Sequence, residues 1–307
     1  MAIGKVITDD GKNLALKLLF GDSSVSALEK IRVGVGDTTP LIGNSDINKS
    51  VPLTPSTIDE CDGVGTWTEG GQGKAVSTDT DIYKEGYGTS DNTALNITKD
   101  GVGGVAAYWD FDYGSNIDMT DEDLLLWVYI VDATALAKLT TSSAFIIYAS
   151  TAGLGTDYKA WYFDRSELSV GWNLLKIDVS STADATSGTT NISTIRYFRV
   201  YYKTNNNADT TSDGDILMDF WHNATRDTDY NIDFISGYPT YDTSLQKATL
   251  RGLISSNEAT GYNIVEYGVY NTDTTPVLFS HDVSNPVSKS STEEISITIT
   301  YRCKDDG

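Results

Sequence analysis

Residues 294–303 read EISITITYRC, and this stretch decides the fold. Ile295, Ile297, Ile299 and Tyr301 alternate with Ser296, Thr298, Thr300 and Arg302. A period of two means a β-strand with one buried and one wet face. A strand needs neighbours, and residues 247–255, 262–271 and 277–283 read as three more, joined by turns such as Ser255-Ser-Asn-Glu and Asn271-Thr-Asp-Thr. These four still lack partners, and the other end of the chain supplies them. Thr8-Asp9-Asp10 is a helix cap, Leu14, Ala15, Leu18 and Leu19 fall on one helical face, and Gly21 is a stop, which predicts a helix over 10–20. In 30–36 (KIRVGVG), Ile31, Val33 and Val35 alternate as in a strand. Residues 1–60 and 223–307 are therefore expected to form one discontinuous α+β domain, with 37–60 as an extended connection.

Residues 61–222 read differently. Nine short apolar runs (75–78, 94–98, 105–111, 124–131, 144–149, 159–163, 173–179, 194–202 and 215–221) are separated by Gly, Asn, Asp and Ser clusters. With no convincing helix among them, they predict an antiparallel β-sandwich of the jelly-roll kind, inserted into the flanking domain. The polar stretch 205–215 (NNNADTTSDGD) reads as a mobile tip. The fold class expected is thus mainly β, a sandwich spliced into a small discontinuous anchor.

Composition excludes several functions. A net charge of −21 leaves no basic stripe for nucleic acid. No apolar run approaches the roughly 18 residues of a membrane span, and MAIGKVITDDGK has no signal-peptide core. Cys61 and Cys303 cannot make a disulfide framework; two buried free thiols are the simpler expectation, one Cys61–Cys303 pair the alternative.

The flanks resemble the N-terminal, virion-attachment domain of tailed-phage tail-fibre (tail-collar) proteins. The resemblance lies in ITDDGKNLALKLL followed by IRVGVGDTTP, then KATLRGLISSNEATGYNIVEYGVYN with its Glu266-x-Gly268 pair, VLFSHDVSNP and EEISITITYRCK. It implies a protein fixed to a virion, assembled in the host cytoplasm, with other virion proteins and copies of itself as partners. The chain departs from that family in being interrupted by a sandwich and in carrying no fibre shaft up to Gly307. The insert is similar to galactose-binding-like jelly-roll carbohydrate-binding modules, through CDGVGTWTEG, DIYKEGYGTSDNTALNIT, LLLWVYI, GWNLLKIDVS and GDILMDFWHN. That similarity implies host-surface glycan as a partner. It also implies a structural Ca2+ where the first strand, the Tyr-Lys-x-Gly turn and the last strand meet, at Glu60 or Asp62, the Lys84 carbonyl and Asp219.

Catalytic chemistry is not expected. His222 and His281 sit in no nucleophile or zinc motif and read as satisfied surface or strand-end histidines. Asp110 and Asp112 share a strand end, but 43 acidic residues place such pairs together by chance. Gly34-Val-Gly36 and Gly101-Val-Gly-Gly104 lack the helix and Lys-Ser/Thr of a phosphate loop, and Asp213-Gly-Asp215 lacks the closing Glu of an EF-hand. Sugar rings stack on exposed aromatic faces, and Trp109, Trp161 and Tyr162 are the candidates; Trp161 and its neighbour Tyr162 lie on opposite faces of one strand, so one must face outward. The first functional reading is a non-enzymatic virion component of a tailed phage (tail fibre or collar, neck or capsid decoration) displaying a sandwich. The second is a free carbohydrate-binding or depolymerase accessory protein.

Overall fold

In a computed structural model the chain is described over residues 4–36, 39–84, 93–101, 103–226, 228–273 and 275–302. It is mainly β, every strand pairing is antiparallel, and it divides into two compact units: Met1–Thr54 with Asp227–Gly307, and Pro55–Arg226. Among the described residues no helix is long and apolar enough to cross a membrane.

The discontinuous unit holds a five-stranded sheet in the order Gly4–Ile7, Leu278–Ser288, Asn263–Asn271, Leu28–Gly34, Ile232–Asp233, and a three-stranded one of Thr240–Asp242, Lys247–Ile254 and Ile295–Arg302. The helix is Asp9–Leu19, capped by the Thr8 hydroxyl, which accepts from the Gly11 N–H at 2.9 Å. Gly11 is required there: a Cβ would stand 2.2 Å from the Phe279 carbonyl oxygen on the strand beneath. Ile31 and Val33 are fully buried, and Ile297 and Ile299 alternate inward with Thr298 and Thr300 outward.

A single carboxylate organises this unit. Glu266, fully buried, accepts from the backbone N–H groups of Gly36 (3.2 Å), Asn48 (2.5 Å) and Lys49 (3.1 Å), and its Oε1 lies 2.8 Å from His281 Nε2. The other oxygen bears on two glycines, because a Cβ at Gly34 or Gly36 would come within 2.6 Å of Glu266 Oε2. His281 is thus no surface histidine but a buried partner of Glu266, its Nδ1 3.1 Å from Asn44 Oδ1.

The inserted unit is a sandwich of two six-stranded sheets. One runs Ala185–Ser187, Tyr158–Phe163, Phe145–Ser150, Ile195–Lys203, Ala106–Ile117, Thr68–Gly71. The other runs Gly171–Asp178, Glu122–Ile130, Ile216–Thr225, Ala94–Asn96, Ser77–Asp79, with Ser56–Asp59 also on Ile216–Thr225. Between them lies a core that includes Trp109, Trp221, Phe198, Phe145, Leu124 and Val128. The unit is longer than residues 61–222 at both ends, because Ser56–Asp59 pairs with Trp221–Asn223 and the last strand continues along Glu122 to Thr225. Three short strands, Ser56–Asp59, Thr68–Gly71 and Ala185–Ser187, join the nine expected, and Asp132 caps a six-residue helix, Ala133–Lys138. The stretch 205–215 is no free tip. Buried Lys99 donates its ammonium to the carbonyls of Gly101, Asn207 and Asp209 (2.6–3.0 Å), and the Thr211 hydroxyl lies 2.8 Å from that of Tyr202. His222 is likewise buried, its Nδ1 2.9 Å from the Phe220 carbonyl oxygen, and burial lowers its pKa to about 4.

Candidate glycan-binding face

The outer face of the first sheet is built by alternation. In Ile195–Lys203, Phe198, Val200 and Tyr202 point into the core, so Tyr197, Arg199, Tyr201 and Lys203 point out. In Ala106–Ile117, Ala107, Trp109 and Phe111 point in, so Tyr108, Asp110 and Asp112 point out. Strand register turns these residues into rows across the sheet. One row reads Tyr162, Ile146, Tyr201, Tyr108, Gly70; the next reads Ala160, Tyr148, Arg199, Asp110, Thr68. At about 4.8 Å per strand, each row is roughly 19 Å long.

Tyr108, Tyr201, Tyr148 and Tyr158 form a chain of ring contacts, with Tyr162 across Ile146 from Tyr201. Tyr108 and Tyr201 are stacked with centroids 6.0 Å apart and planes 9° apart; Tyr148 lies 6.1 Å from Tyr201 and 5.0 Å from Tyr158. The rings lie over small or aliphatic neighbours, leaving Ile146 and Ala160 buried on what is formally the outer face. Gly70 makes room for Tyr108, since a Cβ there would sit 2.1 Å from the Tyr108 ring; an aromatic ring covering an edge glycine is a recurrent sheet device. The Arg199 guanidinium lies over Tyr108, 4.0 Å from its centroid, and 5.5 Å from that of Tyr148. It also forms a two-pronged ion pair with Asp110, the Nη2–Oδ2 contact being 2.7 Å. Burial pushes the Tyr148 phenol up to about 12, with Tyr201, Tyr162 and Tyr158 adding to the rise, and burial raises Tyr162 and Tyr201 as well. These three are therefore neutral phenols at ordinary pH, able to donate and accept hydrogen bonds.

Of the residues singled out in the sequence, Trp109 is fully buried: its indole N–H donates to the Lys74 carbonyl at 2.7 Å and its ring stacks on Tyr202. Trp161 is 7% exposed and sits in the core opposite Ile147. Neither presents a face to solvent, because each occupies the inward phase of its strand. Tyr162, 37% exposed, faces outward, its backbone N–H donating to Asp184 at 2.8 Å. Sequence reading passed over Tyr108, Tyr148, Tyr158, Tyr197, Tyr201 and Arg199. The signal was present in Tyr197-Phe198-Arg199-Val200-Tyr201-Tyr202, where alternation puts Phe198 and Val200 inside.

At the proposed metal corner, the Oδ2 of fully buried Asp219 accepts from the Lys84 backbone N–H at 2.7 Å, so the Lys84 amide rather than its carbonyl makes this contact. The Lys84 ammonium lies 4.5 Å from the Trp127 centroid, and Asp62 takes the Thr93 hydroxyl at 3.4 Å. Cys61 is a buried free thiol, its pKa raised well above normal by burial and by the nearby Asp59 and Asp219; Cys303 lies outside the described residues. Among the described residues no group of three or more His, Cys, Asp or Glu stands together to hold a metal ion.

No protein-family model and no curated protein matches this chain. Among solved structures it is similar to a family 11 carbohydrate-binding module from Clostridium thermocellum in complex with a β-1,3-1,4-mixed-linked tetrasaccharide. The identity is 16%, the TM-score 0.38, and the match covers 57% of this chain and 98% of that one. A carbohydrate-binding module of the β-sandwich superfamily with promiscuous specificity matches at 13% identity and TM-score 0.38, over 66% of this chain and 87% of that chain. An exo-β-agarase matches at 9% identity and TM-score 0.39, over 57% and 25% of the two chains. Matches this loose say nothing about a ligand for this chain.

Proposed function

We propose that the inserted sandwich is a glycan-binding module and that the flanking unit attaches it to the particle of a tailed phage. The observation that carries the first half is the outward row of Tyr162, Tyr201 and Tyr108, flanked by Tyr148 and Arg199. A sugar ring is apolar on its faces and polar at its rim. Flat phenols offer both complements at once, an apolar face and a hydroxyl edge. No bond need be broken for such a site to work, and the module acts by holding its ligand. The test is binding of polysaccharides by the intact chain and by Tyr201→Ala and Tyr108→Ala variants. Binding that survives loss of both rings sinks the reading.

The second half rests on the motif resemblance of the flanks and on the apolar side chains this unit leaves exposed, among them Leu19, Phe20 and Leu41. Light scattering of the purified protein separates it from a free accessory protein: assembly into a symmetric oligomer, or onto particles, is expected, and a monomer that ignores particles contradicts it. A structural calcium ion is a separate proposal, supported only by Asp219 and Lys84 meeting at the expected corner. A melting temperature that chelator does not move removes it.

A further inference from the structure

The charges around the tyrosines narrow the class of ligand. Three cations and three carboxylates lie on or beside this face. Arg199 is clasped by Asp110 through two contacts, and Arg196 by Asp112 at 2.6 and 2.8 Å. Lys203 leans toward the Tyr201 ring at 5.7 Å, and Asp184 accepts the Tyr162 N–H. Both guanidiniums, the groups best shaped to grip a carboxylate or sulfate, already hold carboxylates in the two-pronged geometry such a ligand would need. Arg199 is also held between two phenol rings, which fixes it against reaching outward.

Resting on the glycan-binding reading, we infer that this face selects uncharged polysaccharide chains and rejects uronate-bearing or sulfated ones. To gain a guanidinium, an anionic chain would have to pull Arg199 from Asp110 or Arg196 from Asp112, and would then lie against the released carboxylate in a protein of net charge −21; the Lys203 ammonium beside Tyr201 offers it only a single point charge. An uncharged chain needs neither step; it lies on the rings and bonds to phenol hydroxyls and the outer edges of the ion pairs. Asp110 and Asp112 act here as specificity-determining residues: by occupying the arginines they close the face to anions.

The experiment uses the intact chain and a panel of β-glucan, galactan and α-glucan backbones, each in uncharged and in carboxylated or sulfated form, at low and high salt. At least one uncharged member is expected to bind with little salt dependence, and its anionic counterpart at least tenfold more weakly. Asp110→Asn, which releases Arg199, is expected to raise the ratio of anionic to uncharged binding several-fold, in a salt-sensitive way. Asp112→Asn does the same independently through Arg196, which guards against one variant failing to fold. Tighter binding of the anionic member by the wild type, lost as salt rises, overturns the inference and leaves the glycan reading standing. Binding of no member of either kind removes the glycan reading itself.

Discussion

The two units dress their surfaces differently. Among the described residues the sandwich leaves five large hydrophobic side chains exposed, and three of them (Tyr83, Tyr113 and Tyr162) carry a hydroxyl. The smaller flanking unit leaves eleven, and all but Tyr241 are purely apolar, with Phe20 82% and Leu19 76% exposed. A phenol face suits a hydrated, polyhydroxylated ligand, which needs both stacking and hydrogen bonds. Bare aliphatic groups gain only from a dry contact, as at a protein interface. The difference teaches that the two units offer different contact chemistry, hydroxyl-bearing on the sandwich and apolar on the flanks, which is the division of labour the proposed function requires.

The sharpest way to break this comparison is to exchange inside for outside in the sandwich. Trp109→Ala empties a fully buried site and is expected to cost about 3–5 kcal/mol by denaturant unfolding. A mild effect would mean that the ring is not core and that the inward and outward phases have been confused. Next in size is a pH effect inside the same unit. His222 folds with its pKa near 4 against 6.5 unperturbed, so below about pH 6.5 the unfolded chain takes a proton that the folded chain refuses. Stability from this group is fully present above that pH and is lost as pH falls toward 4, by at most about 3 kcal/mol. Urea titrations at pH 7 and 4.5 should show a smaller loss in His222→Gln than in the wild type; equal losses refute the assignment. Tyr201→Ala should weaken glycan binding by about 2 kcal/mol, roughly thirtyfold, with little change in melting temperature. A large drop in melting temperature would make the ring a structural one. Smallest in stability is Phe20→Ser, which should change unfolding by no more than about 0.5 kcal/mol yet diminish oligomer or particle binding. Unchanged assembly would remove this patch from the interface.

How much of this was legible in the sequence depended on the length of each signal. Long periodic runs were readable: the period-two strand Ile295–Arg302 and the capped helix Asp9–Leu19 fall within a residue or two of expectation. Short edge strands such as Thr68–Gly71 and Gly4–Ile7 have too few residues for a period to emerge. Their pairing is set by neighbours remote in sequence. The tyrosine face was only partly legible, for a different reason. Phase along the strand decides which aromatic side chain meets solvent: Trp109 and Trp161 fall on the inward phase, and Tyr162 on the outward one. Glu266 and His281 were likewise unreadable as a pair, since nothing local marks a carboxylate that will collect N–H groups from residues 36–49.

That collecting role has a consequence for how the protein is made. Residues 28–34 sit in their sheet between Asn263–Asn271 and Ile232–Asp233, both of which follow the sandwich in the chain, and the loop after them is held by Glu266. During translation at about 5–20 residues per second, the first half of the anchor therefore leaves the ribosome roughly 10–40 s before its partners exist. The sandwich, whose strands all lie within the interval, has its full complement of pairings first. We predict that ribosome-bound chains halted once residue 260 is exposed resist protease across the sandwich but not across residues 4–50, and protection of both would contradict it. The order of folding is then middle first and ends last, so the nascent amino terminus spends its early life as an open chain with Ile31 and Val33 uncovered, a natural point for a chaperone to act.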